Sequence, residues 1–219
     1  MENKSMIVTL DGPSGVGKTS LAQQVAERLG IAYLDTGAMF RAVAWNLGEG
    51  AWEWEAARIR SVLGTLCFSL QGTGAKTVLL VNDVPLTSDI RTETVGMWAS
   101  HMARLEAVRS ALKEAQRALG RTHSLLAEGR DMGSVVFPEA QYKFFLDASA
   151  EVRAVRRWEQ LKAMGREEDL ALLTEQMRLR DNQDRTRAIA PLKPAPDAEI
   201  IDTGGLTLTE VFQEICARF

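Results

Sequence analysis

The sequence predicts an α/β fold, a three-layer structure in which helices cover a parallel sheet, and three observations predict it. Met6–Asp11 is a short apolar segment that runs directly into a glycine-rich segment, and helical periodicity follows at once. Further apolar, strand-like segments alternate with segments of helical periodicity, which is typical of parallel strands joined by helices. With 219 residues, 46% of them hydrophobic, the chain is long enough for a sizeable core.

The glycine-rich segment fits the pattern G-x-x-x-x-G-K-[ST] of the phosphate-binding P-loop. Its glycines let consecutive backbone N–H groups approach an anion, and the following helix presents its N-terminus to the same anion. Lys18 is expected to reach the β- and γ-phosphates, and the Thr19 hydroxyl to ligate Mg²⁺. A glycine-rich turn without ligand is the alternative, and the strand and helix around the loop argue against it. The predicted phosphate site consists of Gly12, Pro13, Ser14, Gly15, Val16, Gly17, Lys18, Thr19 and Ser20.

The other elements follow from hydrophobic periodicity and from the turn residues between them. After the loop, a first helix ends at Gly30 and a second ends before Gly48. The predicted strands are 31–34, 67–70, 77–81, 125–127, 142–146 and 199–202, and the remaining helices are 52–66, 93–102, 105–119, 149–164, 170–185 and 208–219. Thr207 and Glu210 have the spacing of a capping box at the start of the last helix. Between 51 and 94 the pattern changes to a small β-meander.

Three sets of charged residues are candidates for function. Glu128–Asp131 follow a buried strand directly, at the edge where α/β sheets bind ligands, although a salt-bridged structural turn is the alternative. Arg41 lies one turn into its helix, where it is either solvated or an anion clamp. Residues 151–190 contain 8 of the 19 arginines together with eight acidic residues, so a solvated helix pair of mixed charge is possible there.

Composition excludes several classes of protein. A net charge of −3 argues against a broad nucleic-acid or anionic-membrane surface. No apolar run reaches the length of a signal segment or a membrane span. Cys67 and Cys216 match no metal or redox spacing, which favours a reduced, cytoplasmic setting. Arginine outnumbers lysine by 19 to 7, a bias that suits recognition of phosphates and carboxylates.

Five segments carry a more specific pattern: Gly12–Thr19, Asp35–Arg41, Asp89–Arg91, Glu128–Gly133 with Val136–Pro138, and Arg180–Arg187 with Ala190–Pro191. They occur in order over nearly the whole chain, and they resemble the bacterial cytidylate kinases. The resemblance implies the nucleoside-monophosphate kinase fold. Its P-loop core would comprise 1–50, 95–150 and 188–219, its β-containing monophosphate-binding insert 51–94, and its helical lid with flanking helices 151–187.

The resemblance also implies an activity, the transfer of a phosphoryl group from ATP with Mg²⁺ to CMP or dCMP. It assigns catalytic roles to Lys18, Arg130, Arg187 and Arg157, and the loop at Gly12–Ser20 would hold ATP. Around CMP, it places Arg41, Arg130 and Arg187 on phosphate, Thr36, Arg109 and Asp131 on cytosine, and Ser100, Arg180 and Asp184 on the sugar. Arg153, Arg156 and Arg157 match the lid, where they are expected to repel one another until phosphates lie among them.

The sequence departs from the family pattern at three positions. Thr36 stands where Ser is expected, Phe40 where Tyr is usual, and Glu128 where Asp is usual, and each could alter acceptor preference. An alternative to a cytidylate kinase is another kinase of small acceptors, of the adenylate or shikimate type. A non-kinase nucleotide switch would need an N-K-x-D motif, and the single Asn-Lys pair, Asn3-Lys4, lacks the Asp. We expect a cytoplasmic monomer whose partners are its small-molecule substrates, with no nucleic acid and no membrane.

Overall fold

The structure, a computed structural model, describes residues 5–219, so the Asn3-Lys4 pair lies outside the described residues. Its strands are β1 (Ile7–Asp11), β2 (Ala32–Asp35), β3 (Phe68–Gln71), β4 (Val78–Val81), β5 (Val84–Pro85), β6 (Leu125–Gly129), β7 (Tyr142–Asp147) and β8 (Glu199–Asp202). Its α-helices are α1 (Lys18–Leu29), α2 (Thr36–Leu47), α3 (Ala56–Leu63), α4 (Glu93–Met102), α5 (Glu106–Thr122), α6 (Ala150–Ala163), α7 (Leu170–Thr186) and α8 (Leu208–Cys216).

Five of these strands form a sheet with the order β2-β6-β1-β7-β8. The pairs β2–β6, β1–β7 and β7–β8 are all parallel. Every residue of β1 is buried, and so are the first four residues of β6. A strand covered on both faces needs a continuous apolar run, which is why these segments show no alternation of polar residues. The predicted α/β fold with a parallel sheet is confirmed.

The chain divides into two compact units. Among the described residues, the first unit comprises 5–7 together with Ala26–Glu128, and it contains a second sheet of order β3-β4-β5. Its strands are antiparallel, and the turn between β4 and β5 is Asn82-Asp83, with φ of 52° and 62°. Two-residue hairpin loops need such left-handed residues, and Asn and Asp tolerate them better than most others. The predicted β-meander is therefore present.

The predicted helix over 52–66 is wrong in its first part. Ala51–Glu53 form a 3₁₀ turn, Trp54 is extended with φ −70° and ψ 153°, and α3 begins only at Ala56. The Arg58 guanidinium lies 3.4 Å from the centre of the Trp54 ring, a cation–π contact with the extended residue before the helix. Helical periodicity in the sequence gave no indication of this break.

The second unit comprises Val8–Val25 and Gly129–Phe219. Helices α6 and α7 pack through a cluster of Ala154, Leu161 and Leu173. The predicted capping box before α8 is present, but α8 ends at Cys216 rather than at the last residue. The ring of Phe219 instead packs 4.4 Å from the ring of Tyr142 on β7, which covers that aromatic side chain. Within residues 5–219, no helix is both long enough and apolar enough to cross a bilayer.

Candidate active site

The phosphate-binding loop connects β1 to α1 within the second unit. Gly12 has φ of 151°, and a Cβ atom there would collide with the carbonyl oxygen of Leu146. Gly15 has φ of 78°, a left-handed conformation that side chains disfavour. The Leu21 N–H already donates to the carbonyl of Gly17, so the helical ladder starts as the loop ends. This is the strand–loop–helix setting that an anion-binding helix N-terminus requires.

Lys18 is buried at the first position of α1, with 7% of its surface exposed. Its ammonium donates hydrogen bonds to the carbonyl oxygens of Gly12, at 2.8 Å, and Pro13, at 2.6 Å. These contacts keep the positive charge at the loop. A phosphate bound in the loop would offer the same ammonium a charged acceptor, which makes a stronger hydrogen bond than a neutral carbonyl.

A second set of predicted residues meets where the turn after β6 faces the end of α7. Arg130 Nε lies 2.8 Å from Asp184 Oδ2, and Arg187 Nη2 lies 3.2 Å from Asp131 Oδ1. Arg187 Nη1 is also 3.9 Å from Asp184 Oδ1. We call these four residues the arginine–aspartate network. Burial on its own would raise the pKa of Asp184, but the charges of Arg130, Arg180 and Arg187 outweigh it and hold that pKa below its usual range.

The three lid arginines differ in what they contact. Arg153, only 1% exposed, donates to the carbonyls of Ala148 and Ser14 and pairs with Asp181. Arg156 donates to the carbonyls of Thr203 and Leu206. A carboxylate compensates the charge of Arg153 and carbonyls solvate that of Arg156, whereas the expected mutual repulsion of all three stays a prediction. Within residues 5–219, the guanidinium of Arg157 makes no hydrogen bond and no ion pair.

In the first unit, Thr36 and Arg41 lie on α2, where neither is a solvated surface residue. The buried Thr36 hydroxyl donates to the carbonyl of Glu128 at 2.6 Å. Arg41 is half-buried, and its Nη1 donates to the carbonyls of Ile90 at 3.1 Å and Thr92 at 2.9 Å. Burial lowers the pKa of Arg41, although Asp35 opposes the shift. A desolvated guanidinium bound to carbonyls would gain from a phosphate ligand.

Arg109 and Ser100 complete the predicted residues of the first unit. The Arg109 guanidinium lies 5.7 Å from the centre of the Phe40 ring, and its Nη1 donates to the carbonyl of Ala103. The departure from Tyr to Phe at position 40 thus leaves an aromatic face for the arginine but no hydroxyl group. Ser100 is exposed on α4.

Sequence reasoning missed the buried carboxylate of Asp11, and it named Glu128 only within the charged segment Glu128–Asp131 and as a departure from the family pattern. Glu128 accepts a 2.5 Å hydrogen bond from the Tyr33 hydroxyl in the first unit. Asp11, in the second unit, accepts hydrogen bonds from two backbone N–H groups. Both lie at the polar ends of apolar strands, and that placement, which drew attention to Glu128, could have drawn attention to Asp11 as well. Their partners are far away in sequence, so no local pattern identifies them.

The parallel sheet, the glycine loop and the loop lysine define a P-loop kinase fold. A solved shikimate kinase from Bacteroides thetaiotaomicron has the same fold, with a TM-score of 0.50 and 12% identity over 97% of each chain. The family model of cytidylate kinase matches residues 8–219, and the chain belongs to that family. A cytidylate kinase of Maridesulfovibrio salexigens is 58% identical, over 95% of this chain and 94% of the relative. One from Oleidesulfovibrio alaskensis is 55% identical, over 97% of each.

Membership in this family makes the protein an ATP-dependent nucleoside monophosphate kinase, a phosphotransferase. It decides against the alternatives of an adenylate-type or shikimate-type kinase and of a nucleotide switch. The shikimate kinase likeness reflects a shared fold only, because its identity is far below that of the cytidylate kinases.

Proposed function

We propose that the protein transfers the γ-phosphoryl group of ATP to CMP or dCMP and releases ADP with CDP or dCDP. The observation that carries this proposal is the arginine–aspartate network, in the unit that also contains the phosphate loop. Phosphoryl transfer asks a protein mainly to hold two polyanions in line and to stabilise the charge that spreads over the transferring group. A loop for one polyanion and a cluster of guanidinium groups for the other supply these two requirements.

On the ATP side, the backbone of Gly12–Ser20 would hold the phosphates, and Lys18 would exchange its carbonyl acceptors for the β- and γ-oxygens. Arg157 supports the same role, because its guanidinium has no protein partner among the described residues. Thr19 would be the ligand of Mg²⁺, since its side chain is exposed in the first turn of α1 and a hydroxyl oxygen suits a hard cation. Bound there with the nucleotide, the ion would neutralise phosphate charge.

On the CMP side, Arg130 and Arg187 would clamp phosphates, with Arg41 as a further anion ligand. Both network arginines are already paired with carboxylates, so an incoming phosphate would compete with Asp131 and Asp184 for them. The carboxylates released in this way could then turn to neutral donors, the N4 amino group of cytosine for Asp131 and a sugar hydroxyl for Asp184. Thr36 and Arg109 would contact the base, and Ser100 and Arg180 the sugar.

No residue has to act as a general base in this scheme. The attacking oxygen belongs to a phosphate that is already ionised near neutral pH. The contribution of the chain is therefore orientation and electrostatic stabilisation, each of which can supply several powers of ten in rate.

An acceptor screen tests the proposal. Purified protein is given ATP and Mg²⁺ with CMP, dCMP, UMP, AMP or shikimate, and ADP release is followed by a coupled assay. We expect CMP and dCMP to be the best acceptors. Lys18→Ala should lower kcat at least about a thousandfold with an unchanged circular dichroism spectrum, because the lysine charge acts mainly in the transition state. Lys113→Ala, on α5, is the control that should retain activity.

Two further aspects belong to the same proposal. We expect a monomer, which size-exclusion chromatography with light scattering would check, and a cytoplasmic enzyme, which cell fractionation would check.

A further inference from the structure

Asp11 is a fully buried carboxylate that none of the roles above uses. It is the last residue of β1 and directly precedes Gly12, and only 3% of its surface is exposed. Its Oδ1 accepts a hydrogen bond from the N–H of Met132 at 2.9 Å, and its Oδ2 accepts one from the N–H of Gly133 at 2.8 Å. Both oxygens are therefore engaged by consecutive N–H groups of a single turn.

That turn continues directly from Arg130 and Asp131. Met132–Val136 form a π-helical turn, in which the N–H groups of Val135 and Val136 donate to the carbonyl of Asp131. The first N–H groups of a helical turn have no acceptor inside it, and here Asp11 accepts two of them. At Gly133, a Cβ atom would lie 2.8 Å from Thr9 Oγ1, so the turn approaches β1 too closely for a side chain.

The chemistry of the side chain suits this task. The two N–H groups donate to different oxygens of Asp11, and an amide in its place would turn its own NH₂ group toward one of them. The pKa of Asp11 is raised to about 6, because burial, with a smaller contribution from Asp131, outweighs the two N–H groups and Lys18, which lower it. An ionised carboxylate in such a place is unfavourable for stability on its own, which argues for a role beyond packing.

We propose that Asp11 is a positioning residue that holds the turn at 131–133 against β1 and so places Arg130 and Asp131 for phosphoryl transfer. The inference rests on the roles proposed above for Arg130 and Asp131. The main chain of Asp11 continues into the phosphate loop, so one residue links that loop to the turn of the arginine–aspartate network. Asp11 touches no substrate in this proposal and acts only through the turn.

The first test compares Asp11→Asn with Asp11→Glu and with a matched control. The control is Asp202→Asn, since Asp202 also ends a strand and its Oδ1 accepts the Gly204 N–H at 2.8 Å. We expect Asp11→Asn to lose about 10- to 100-fold in kcat/KM for CMP, the loss expected from a misplacement of about 1 Å. Its Kd for a non-hydrolysable ATP analogue, measured by calorimetry, should change less than about twofold. Asp11→Glu should recover part of the loss, and Asp202→Asn should match wild type.

The second test uses ligand-free wild-type protein and therefore does not depend on whether the variant folds. In ¹H–¹⁵N spectra, the amide signals of Met132 and Gly133 should shift together with a midpoint near pH 6 as Asp11 ionises. Leaving CMP out matters because its own phosphate titrates in the same range. If the two amides do not titrate together, Asp11 does not hold the turn through its charge and the proposal is overturned.

The outcomes separate this inference from the proposed function. If Arg130→Ala and Asp131→Asn keep wild-type activity, the roles proposed for those residues are wrong, and the inference is overturned with them. If they lose activity while Asp11→Asn does not, only the positioning role of Asp11 is overturned. An Asp11→Asn protein that loses ATP affinity as strongly as kcat/KM for CMP would show a general structural role, which also overturns the inference.

Discussion

Asp11, at the end of β1, and Asp184, near the end of α7, are carboxylates of the same unit whose pKa values move in opposite directions. Burial raises the pKa of Asp11 to about 6, and its two hydrogen bonds and Lys18 do not compensate. Burial acts in the same direction on Asp184, but three arginines outweigh it and lower the pKa. The charge of a buried carboxylate thus depends on the guanidinium groups around it more than on burial alone.

The difference separates two tasks. Asp11 accepts hydrogen bonds from two backbone N–H groups, which a phosphate ligand does not compete for. Asp184 is paired with arginines that phosphates can also bind, so its partners can be exchanged when substrate arrives. The first arrangement is suited to rigid positioning and the second to substrate-dependent rearrangement.

The largest expected effect comes from breaking the network at Arg187. Arg187→Ala removes one partner of Asp131 and one cation near Asp184, so the pKa of Asp184 should rise toward that of Asp11. We expect kcat to fall by about a thousandfold, since guanidinium groups at a transferring phosphate contribute that much or more. The measurement is steady-state kinetics with CMP at saturating ATP.

Arg185→Ala is the matched control for Arg187→Ala. Arg185 lies in the last turn of α7, two residues before Arg187, is 44% exposed, and pairs with Asp147 at 3.2 Å. An exposed ion pair contributes little, so this variant should keep its activity and lose at most about 1 kcal/mol of stability. Equal losses of kcat in the two variants would contradict a special role for Arg187.

The next largest effect is the pH dependence of stability that Asp11 causes. Its pKa is raised from 3.8 to about 6, so the folded state binds this proton more tightly than the unfolded state does. The stabilisation is fully present below pH 4 and is lost as pH rises through 6, by up to about 3 kcal/mol. Urea unfolding of wild type and Asp11→Asn from pH 4 to 7.5 isolates this contribution, because Asn does not titrate. A constant difference between the two proteins would show that Asp11 has an ordinary pKa.

Asp131 extends the comparison to substrate selectivity. Its carboxylate oxygens can accept a hydrogen bond from N4 of cytosine, whereas uracil would present a carbonyl oxygen to them. We expect kcat/KM to favour CMP over UMP by about 10- to 100-fold, and Asp131→Asn to narrow this ratio because an amide can donate to O4. The measurement is kcat/KM for CMP and for UMP, each in wild type and in Asp131→Asn. If the variant loses the same factor on both acceptors, Asp131 serves phosphates or the ion rather than the base.

The smallest expected effect is the pH dependence of stability that Asp184 causes, which has the opposite sign to that of Asp11. Its lowered pKa means that it stabilises the folded state above the unfolded pKa of 3.8, and that this contribution is lost as pH falls through the lower folded value. The free energies of unfolding of wild type and Asp184→Asn should therefore differ by a constant amount above about pH 5, and this difference should shrink in more acid solution. Urea unfolding between pH 3 and 7 checks this. A difference that instead grows as pH falls would place Asp184 in the same class as Asp11.

The sequence by itself determined the features that depend on short segments. The phosphate loop requires glycines at set positions, the hairpin turn requires left-handed residues at Asn82-Asp83, and the capping box needs Thr207 and Glu210 three residues apart. Each is a local backbone requirement that a few neighbouring side chains satisfy. The alternation of strands and helices is similarly local, so the parallel sheet could be predicted, and five short segments, from Gly12–Thr19 to Arg180–Arg187 with Ala190–Pro191, indicated the family by resemblance.

Only the tertiary structure decided which charged groups meet. Arg130 and Asp184 are 54 residues apart, and Asp11 and Met132 are 121 apart. Arg153 and Arg157 are both arginines on α6, one turn apart. Arg153 is nevertheless buried against Ser14 and Asp181, whereas Arg157 is not. Hydrophobic periodicity indicates the secondary structure of one segment. The ionisation and hydrogen bonding of a side chain depend instead on partners that the fold brings from distant segments. That is why the arginine–aspartate pairing and the buried carboxylate of Asp11 became visible only in three dimensions.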